Sequence, residues 1–171
     1  MNTYFPLFIN LKGKEIIVFG GGTIATRRVK SLLPYGAVIR VVAPEISEEL
    51  QELVREQKKM EQENLTLEYR KYKPSELQKP DFVLAATNDE NVNTIIFREC
   101  RHKGILVNVA SDKEKCDFFF PGIVQQGDIT VGITANGKNH KKAAEVTEKI
   151  RKMLEKDRSL PPRLQMVRRQ L

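Results

Sequence analysis

The chain has 171 residues, 40% of them hydrophobic and 30% charged, with a formal net charge of +7. That length builds one main core with a small appendage; no apolar run approaches the ~20 residues that cross a bilayer, and the N-terminus lacks the basic start, long apolar stretch and cleavage site of a signal peptide. Its two cysteines, Cys100 and Cys116, lie in no CxxC pair and make no disulfide framework, so the chain reads as a cytoplasmic protein whose positive balance favours anionic partners.

In chain order, "EIIVFG" is a short β-branched apolar run closed by Gly20, the pattern of a buried strand. "TIATRRVKSLLPYG" carries Ile24, Val29, Leu32 and Leu33 at helical spacing and stops near Pro34 and Gly36. "AVIRVVAP" is a second strand. "SEELQELVREQKKMEQEN" opens on Ser47, a good N-cap, with Leu50, Leu53 and Val54 on one face. "LTLEYRKY" alternates as a strand does, and "DFVLAAT" is a further apolar strand. "NDENVNTIIFRECRHKG" is a helix capped by Asn88 or Asp89 and ended at Gly104, and "ILVNVA" is the next strand. Alternation from Glu15 to Ala110, with right-handed crossovers, predicts an α/β fold: a Rossmann-like parallel sheet with helices on both faces.

After Asp112 the pattern changes. "FFFPGIVQQGDITVGIT" predicts two strands joined at Gln126–Gly127–Asp128, and a basic amphipathic helix follows from about Asn139. These strands are too few to stand alone, which points to a homodimer. The expected division is residues 1–112 for cofactor binding, 113–138 for strand-rich dimerisation and 139–171 for a basic helical segment. In the tripled Phe118–Phe120, strand alternation sends Phe118 and Phe120 to one face and Phe119 to the other, toward core and dimer packing.

The loop between the first strand and helix reads Gly20-x-Gly22-x-x-Ala25. In that context the first glycine permits a tight turn, the second lets backbone approach a pyrophosphate, and the small third residue lets helix pack on strand. Helix N–H groups then face the phosphates. The fingerprint also expects an acid about twenty residues on, at the end of the second strand. That strand ends Val42–Ala43–Pro44, and the nearest acid is Glu45. Arg40, inside the strand, is badly placed for a 2′-phosphate, so NAD is favoured over NADP. The ends Gly20–Thr23, Ala43–Glu45, Thr87–Asn88 and Asn108–Asp112 are all glycine or short polar residues around one expected cleft.

The stretches "YFPLFINLKGKEIIVFGGGTIATRRVKSLL", "VVAPEIS", "DFVLAATNDENVN", "VNVASDKEKCDFFFPGIV" and "GITANGK" together resemble the precorrin-2 dehydrogenases of siroheme biosynthesis, including the amino-terminal part of fused siroheme synthases. The resemblance runs from about Tyr4 to Gly137. It implies NAD-dependent oxidation of precorrin-2 to sirohydrochlorin by an interlocked homodimer, with Thr23, Ile24, Pro44 and Glu45 on the dinucleotide and Thr87, Asn88 and Asn108 lining the cleft, Asn108 toward the substrate. Some members also insert ferrous iron, and a non-catalytic NAD-sensing module would use the same loop. No nucleic-acid module, membrane segment or metal-ligand spacing is expected. Precorrin-2 carries eight carboxylates, which a basic protein attracts.

The chain departs from that family at the fifth strand, which there often ends in a catalytic aspartate. Here the sequence is Asn108-Val109-Ala110-Ser111-Asp112, so Ser111 takes the family position and the carboxylate follows it. Neighbouring strand residues point to opposite faces, and Asp112 replaces the missing group only if the chain turns at Ser111. Either Asp112 is the general base, or no side-chain base is needed and Ser111 hydrogen-bonds the substrate, or Asp112 is an ordinary turn residue. His140 reads as a solvated residue at a helix start.

Overall fold

In the computed structural model, residues 4–74, 77–135 and 139–158 are described. They form two compact units. One is residues 7–118; the other runs from Phe119 onward together with the N-terminal residues through Pro6.

The first unit is a five-stranded sheet of β1 (Glu15–Phe19), β2 (Val38–Ala43), β3 (Leu65–Tyr69), β4 (Phe82–Ala85) and β5 (Leu106–Val109), in the order β3-β2-β1-β4-β5. Every pairing is parallel, as the alternating pattern requires. The first crossovers are α1 (Thr23–Leu32) and α2 (Glu48–Lys59); α3 (Glu90–Lys103) joins β4 to β5. Ile17, Phe19, Val83, Ala85, Val107 and Val109 form one face of the sheet with Ile96 and Cys100 of α3. The alternate residues Ile16, Val18, Ile39 and Val41 are equally buried and by the period of two lie on the other face. Toward that face α1 and α2 turn Ala25, Val29 and Leu50, all at 0% exposure.

Local chemistry sets the helix ends. Gly36, at φ 74°, closes a single 3₁₀ turn of Leu33–Tyr35 after α1, and Gly104, at φ 67°, closes α3. The Ser47 hydroxyl accepts the Leu50 N–H at the start of α2. At α3 the cap is Asp89 and not Asn88: its carboxylate accepts the N–H groups of Asn91 and Val92.

The second unit contains β6 (Gly122–Gln126) paired antiparallel with β7 (Ile129–Ile133), and α4 (His140–Arg158). The two strands turn through Gly127–Asp128, with Gly127 at φ 54°. A Cβ on Gly122 would lie 2.3 Å from Thr147 Oγ1, so the missing side chain is what lets α4 approach the hairpin. The Gln126 side chain donates to the Leu154 carbonyl at 2.7 Å.

The alternation expected of Phe118–Phe120 is corrected. β6 begins only at Gly122, after Pro121, whose ring nitrogen has no proton for a ladder. Each ring follows its own contact: Phe118 meets Phe82 edge-on at 5.6 Å, and Phe119 meets Tyr4 at 4.3 Å. In the "GITANGK" stretch Asn136 to Lys138 lie outside the described residues, as does the tail after Arg158 with its paired prolines.

Candidate functional site

The carboxyl ends of β1, β2 and β4 open onto a cleft of about 650 Å³ where the chain order of the sheet reverses, the place where open parallel sheets hold ligands. Three consecutive glycines form its floor, and each does a different job. Gly20 has φ +119°, and a Cβ there would stand 2.2 Å from the Ala86 carbonyl oxygen. A Cβ on Gly21 would stand 2.2 Å from the Glu45 carbonyl oxygen. On Gly22 it would meet nothing within 4 Å. The first two are glycine so that the loop can lie against β4 and the start of α2; the third leaves room in the cleft itself. The sequence reading puts Gly21 within the Gly20–Thr23 strand end but gives it no role of its own, since the fingerprint treats its position as variable.

Backbone hydrogen bonds lock this arrangement. Gly20 N–H donates to Val42 O at 3.0 Å, Ala86 N–H to Phe19 O at 2.8 Å, and Ser47 N–H to Gly21 O at 2.9 Å. Gly22 is the N-cap of α1, without a side-chain cap, and the first turn carries no acidic residue. The leading N–H groups of that helix therefore have no intrahelical acceptor and lie at the positive end of the helix dipole. Behind them, buried Thr26 donates to Gly22 O at 3.0 Å and accepts from the Ser47 hydroxyl at 2.9 Å, tying α1 to the cap of α2.

Of the sequence-predicted cofactor residues, Gly20, Gly22, Pro44, Glu45, Thr87 and Asn88 all line this cleft. Thr23 and Ile24 do not; their side chains are exposed, Ile24 to 44%, and only their backbone N–H groups belong to the α1 terminus. Lys71 and Tyr72 are among the cleft residues that were not foreseen. They follow β3, and the Tyr72 ring meets Phe19 edge-on at 5.0 Å while its hydroxyl donates to Glu99 of α3. No local pattern announces a contact across 27 residues.

Asn93 was also missed, although it had a signal: a polar residue in phase with Ile96 and Cys100 on the apolar stripe of α3. It is 2% exposed. Its Oδ1 accepts the Thr87 N–H at 3.2 Å and the Thr87 hydroxyl at 2.7 Å, and its Nδ2 donates to Thr87 O at 3.0 Å. That side chain holds the β4 loop in place. Asn93→Leu strands these Thr87 backbone groups, and we expect a loss of about 2 kcal/mol in urea unfolding.

Asn108 stands apart from the cleft. Its Nδ2 donates to Phe118 O at 2.8 Å and to Cys116 Sγ at 3.3 Å, which pins the segment that follows β5. Burial pushes the Cys116 thiol up, as it pushes Cys100 up to about 12; both are poor nucleophiles.

A smaller polar cavity of about 190 Å³ lies between the first turn of α3 and the end of β5, lined by Asn93, Thr94, Ser111, Asp112 and Lys115 among others. The chain does turn after the strand: Asp112 N–H donates to Val109 O at 3.2 Å, with Ala110 and Ser111 at the bend. The turn brings Ser111 and Asp112 to the same cavity. The Lys115 ammonium beside Asp112, and then the Glu114 N–H, hold that carboxyl below the usual range.

Residues 7–122 match the family described as "Putative NAD(P)-binding". The chain is 41% identical over 152 residues to the "Probable multifunctional siroheme biosynthesis protein HemA" of Ruminiclostridium josui, covering 87% of this chain and 28% of that protein. It is 36% identical over 135 residues to the siroheme synthase of Blochmanniella pennsylvanica, covering 79% and 27%. The chain thus spans less than a third of the length of these curated relatives. The solved structure of "SirC, precorrin-2 dehydrogenase" superposes with a TM-score of 0.71 at 29% identity, over 86% of this chain and 69% of that one.

Proposed function

The chain belongs to this NAD(P)-binding family of precorrin-2 dehydrogenases and siroheme-synthase amino-terminal regions, and from that premise we propose that it oxidises precorrin-2 to sirohydrochlorin with NAD as electron acceptor. The observation that carries the proposal is the open space at Gly22, beside a helix terminus whose N–H groups are unclaimed within the helix. A dinucleotide fits these residues: the diphosphate at Gly22 and the α1 terminus, one ribose toward Pro44 and Glu45, and the nicotinamide end toward Thr87 and Asn88. The Glu45 carboxylate favours ribose hydroxyls over a 2′-phosphate, which supports NAD over NADP.

When bound, a nicotinamide dinucleotide would supply the two-electron, hydride-accepting chemistry that the oxidation needs. The protein's own part is placement and proton handling. Asn93 fixes the loop that carries Thr87. Asp112, ionised at neutral pH, accepts the proton released beside the cavity, and Ser111 hydrogen-bonds the substrate there. Asn108 contributes by holding the segment behind them.

Homodimer assembly and a cytoplasmic location belong to the same proposal. Leu7, Phe8 and Ile9 are 70%, 72% and 46% exposed in the first unit, an apolar stretch that a second copy would cover, and in the second unit Ile129 is 54% exposed. The two-stranded β6–β7 sheet likewise has both edges open among the described residues. Residues 1–112 would bind cofactor, 113–138 would dimerise and 139–171 would form the basic segment. No helix among the described residues is long and apolar enough to cross a membrane.

The deciding experiment follows absorbance of reduced cofactor and of sirohydrochlorin from precorrin-2, with NAD, with NADP and without either. Equal yields of both products that require NAD are expected. Cofactor binding without turnover would instead assign a sensing role.

A further inference from the structure

Asp112 sits beyond the end of β5, where no sheet ladder orients its side chain. We infer that Lys115 is the positioning residue that braces the Asp112 carboxylate against α3 and so aims it into the cavity. The inference rests on the reading of Asp112 as the base.

Two groups hold that carboxylate. The Glu114 N–H donates to Oδ1 at 3.0 Å, and the Lys115 ammonium pairs with Oδ2 at 3.1 Å. Lys115 also donates to Thr94 Oγ1 at 3.2 Å, while the Thr94 hydroxyl gives its own proton to Glu90 O at 2.8 Å. The hydroxyl is therefore left as an acceptor facing the ammonium. Thr94 neighbours Asn93, which grips the Thr87 loop of the large cleft. One ammonium thus links the proposed base to the same helical turn that sets the cofactor loop. Backbone support comes from Cys116, whose thiol lies 3.2 Å from both Val109 O and Asp112 O.

An ion pair this exposed, with side chains 32% and 36% accessible, adds little to folding stability. Its effects are on the direction of the carboxylate and on its proton affinity. The titratable groups around Asp112 are Lys113, Glu114, Lys115, the neutral Cys116 thiol and Asp117 on its own segment and Glu90 of α3 across the cavity, with Arg28 of α1 acting on the Cys116 thiol. Of these, only Lys115 is a cation bonded to it.

The test uses the full chain. Carbon-13 NMR of labelled aspartate follows the Asp112 carboxyl, assigned by its absence in Asp112→Asn, in wild type, Lys115→Met and Lys115→Arg. Removing the cation destabilises the ionised form, so the titration midpoint moves to higher pH in Lys115→Met, while Lys115→Arg keeps it near wild type. A base works only when ionised, so the acid limb of kcat/KM for precorrin-2 moves to higher pH with it, by the same interval, with NAD affinity unchanged. An unmoved titration in Lys115→Met overturns the brace. A moved titration with an unmoved acid limb overturns its part in the reaction. Full activity in Asp112→Asn instead defeats the base reading, and with it any catalytic role for Lys115, whatever the NMR shows.

Discussion

Gly22→Val is expected to leave the protein folded and to weaken the proposed NAD binding about a hundredfold, whereas Gly20→Ala and Gly21→Ala are expected to damage the fold itself. The contrast follows from what each added Cβ meets. At Gly20 and Gly21 it lands 2.2 Å from a backbone carbonyl oxygen, and backbone in a packed sheet end cannot step aside as a flexible side chain does. Overpacking of this kind costs about 1–3 kcal/mol or more. Gly20 adds the strain of φ +119°, about 1–3 kcal/mol for an L residue. For a chain of this size each kcal/mol shifts the melting midpoint by roughly 2–4 °C, so a fall on the order of 10 °C is expected for Gly20→Ala. Gly22 is an extended N-cap at φ −88° with open space around its would-be Cβ, and valine costs only about 1 kcal/mol there as a poorer cap. On the proposed reading, the same side chain takes the place of the diphosphate. Loss of those contacts by about 3 kcal/mol corresponds to a roughly hundredfold weaker Kd. Thermal unfolding and calorimetric titration of the three variants measure both quantities. Wild-type NAD affinity in Gly22→Val would remove the diphosphate from this loop.

Asp112→Asn lowers kcat for precorrin-2 oxidation by about 10²–10⁴, the usual contribution of a positioned general base. NAD affinity stays at its wild-type value, because Asp112 lies in the small cavity and not among the residues of the large cleft. Ser111→Ala has a weaker effect, roughly tenfold or less, consistent with one neutral hydrogen bond to substrate. The geometry behind this expectation is the turn after β5. Had the strand continued, Ser111 and Asp112 would point to opposite faces; the Val109–Asp112 turn places both on one cavity. Stopped-flow kinetics at saturating NAD compares the two variants. Full activity in Asp112→Asn with loss in Ser111→Ala would make Ser111 the group that matters and show that no carboxylate base is needed.

The strand–helix alternation from Glu15 to Ala110, the caps at Ser47 and Gly104, the Gly127 turn and the place of the glycine loop were all legible in the residues themselves. These are local properties: hydrophobic period, capping chemistry and backbone freedom are set within a few positions of one another. The residues at the ends of β1, β2 and β4 marked the cleft, since parallel topology brings those ends together, whereas the Asn108–Asp112 end expected beside them borders the separate smaller cavity. The breakup of the phenylalanine run, the anchoring of Asn108 on Phe118, and the convergence of Ser111, Asp112, Lys115 and Thr94 were decided by tertiary structure. Each depends on which distant group arrives beside a side chain: Tyr72 on Glu99, Asn93 on Thr87, a Gly21 that must clear Glu45. Sequence by itself determined what kind of sheet forms and where its ligand crevice opens, because periodicity and turn chemistry act along the chain; which side chains face that crevice was settled only by packing across it, which no spacing of residues encodes.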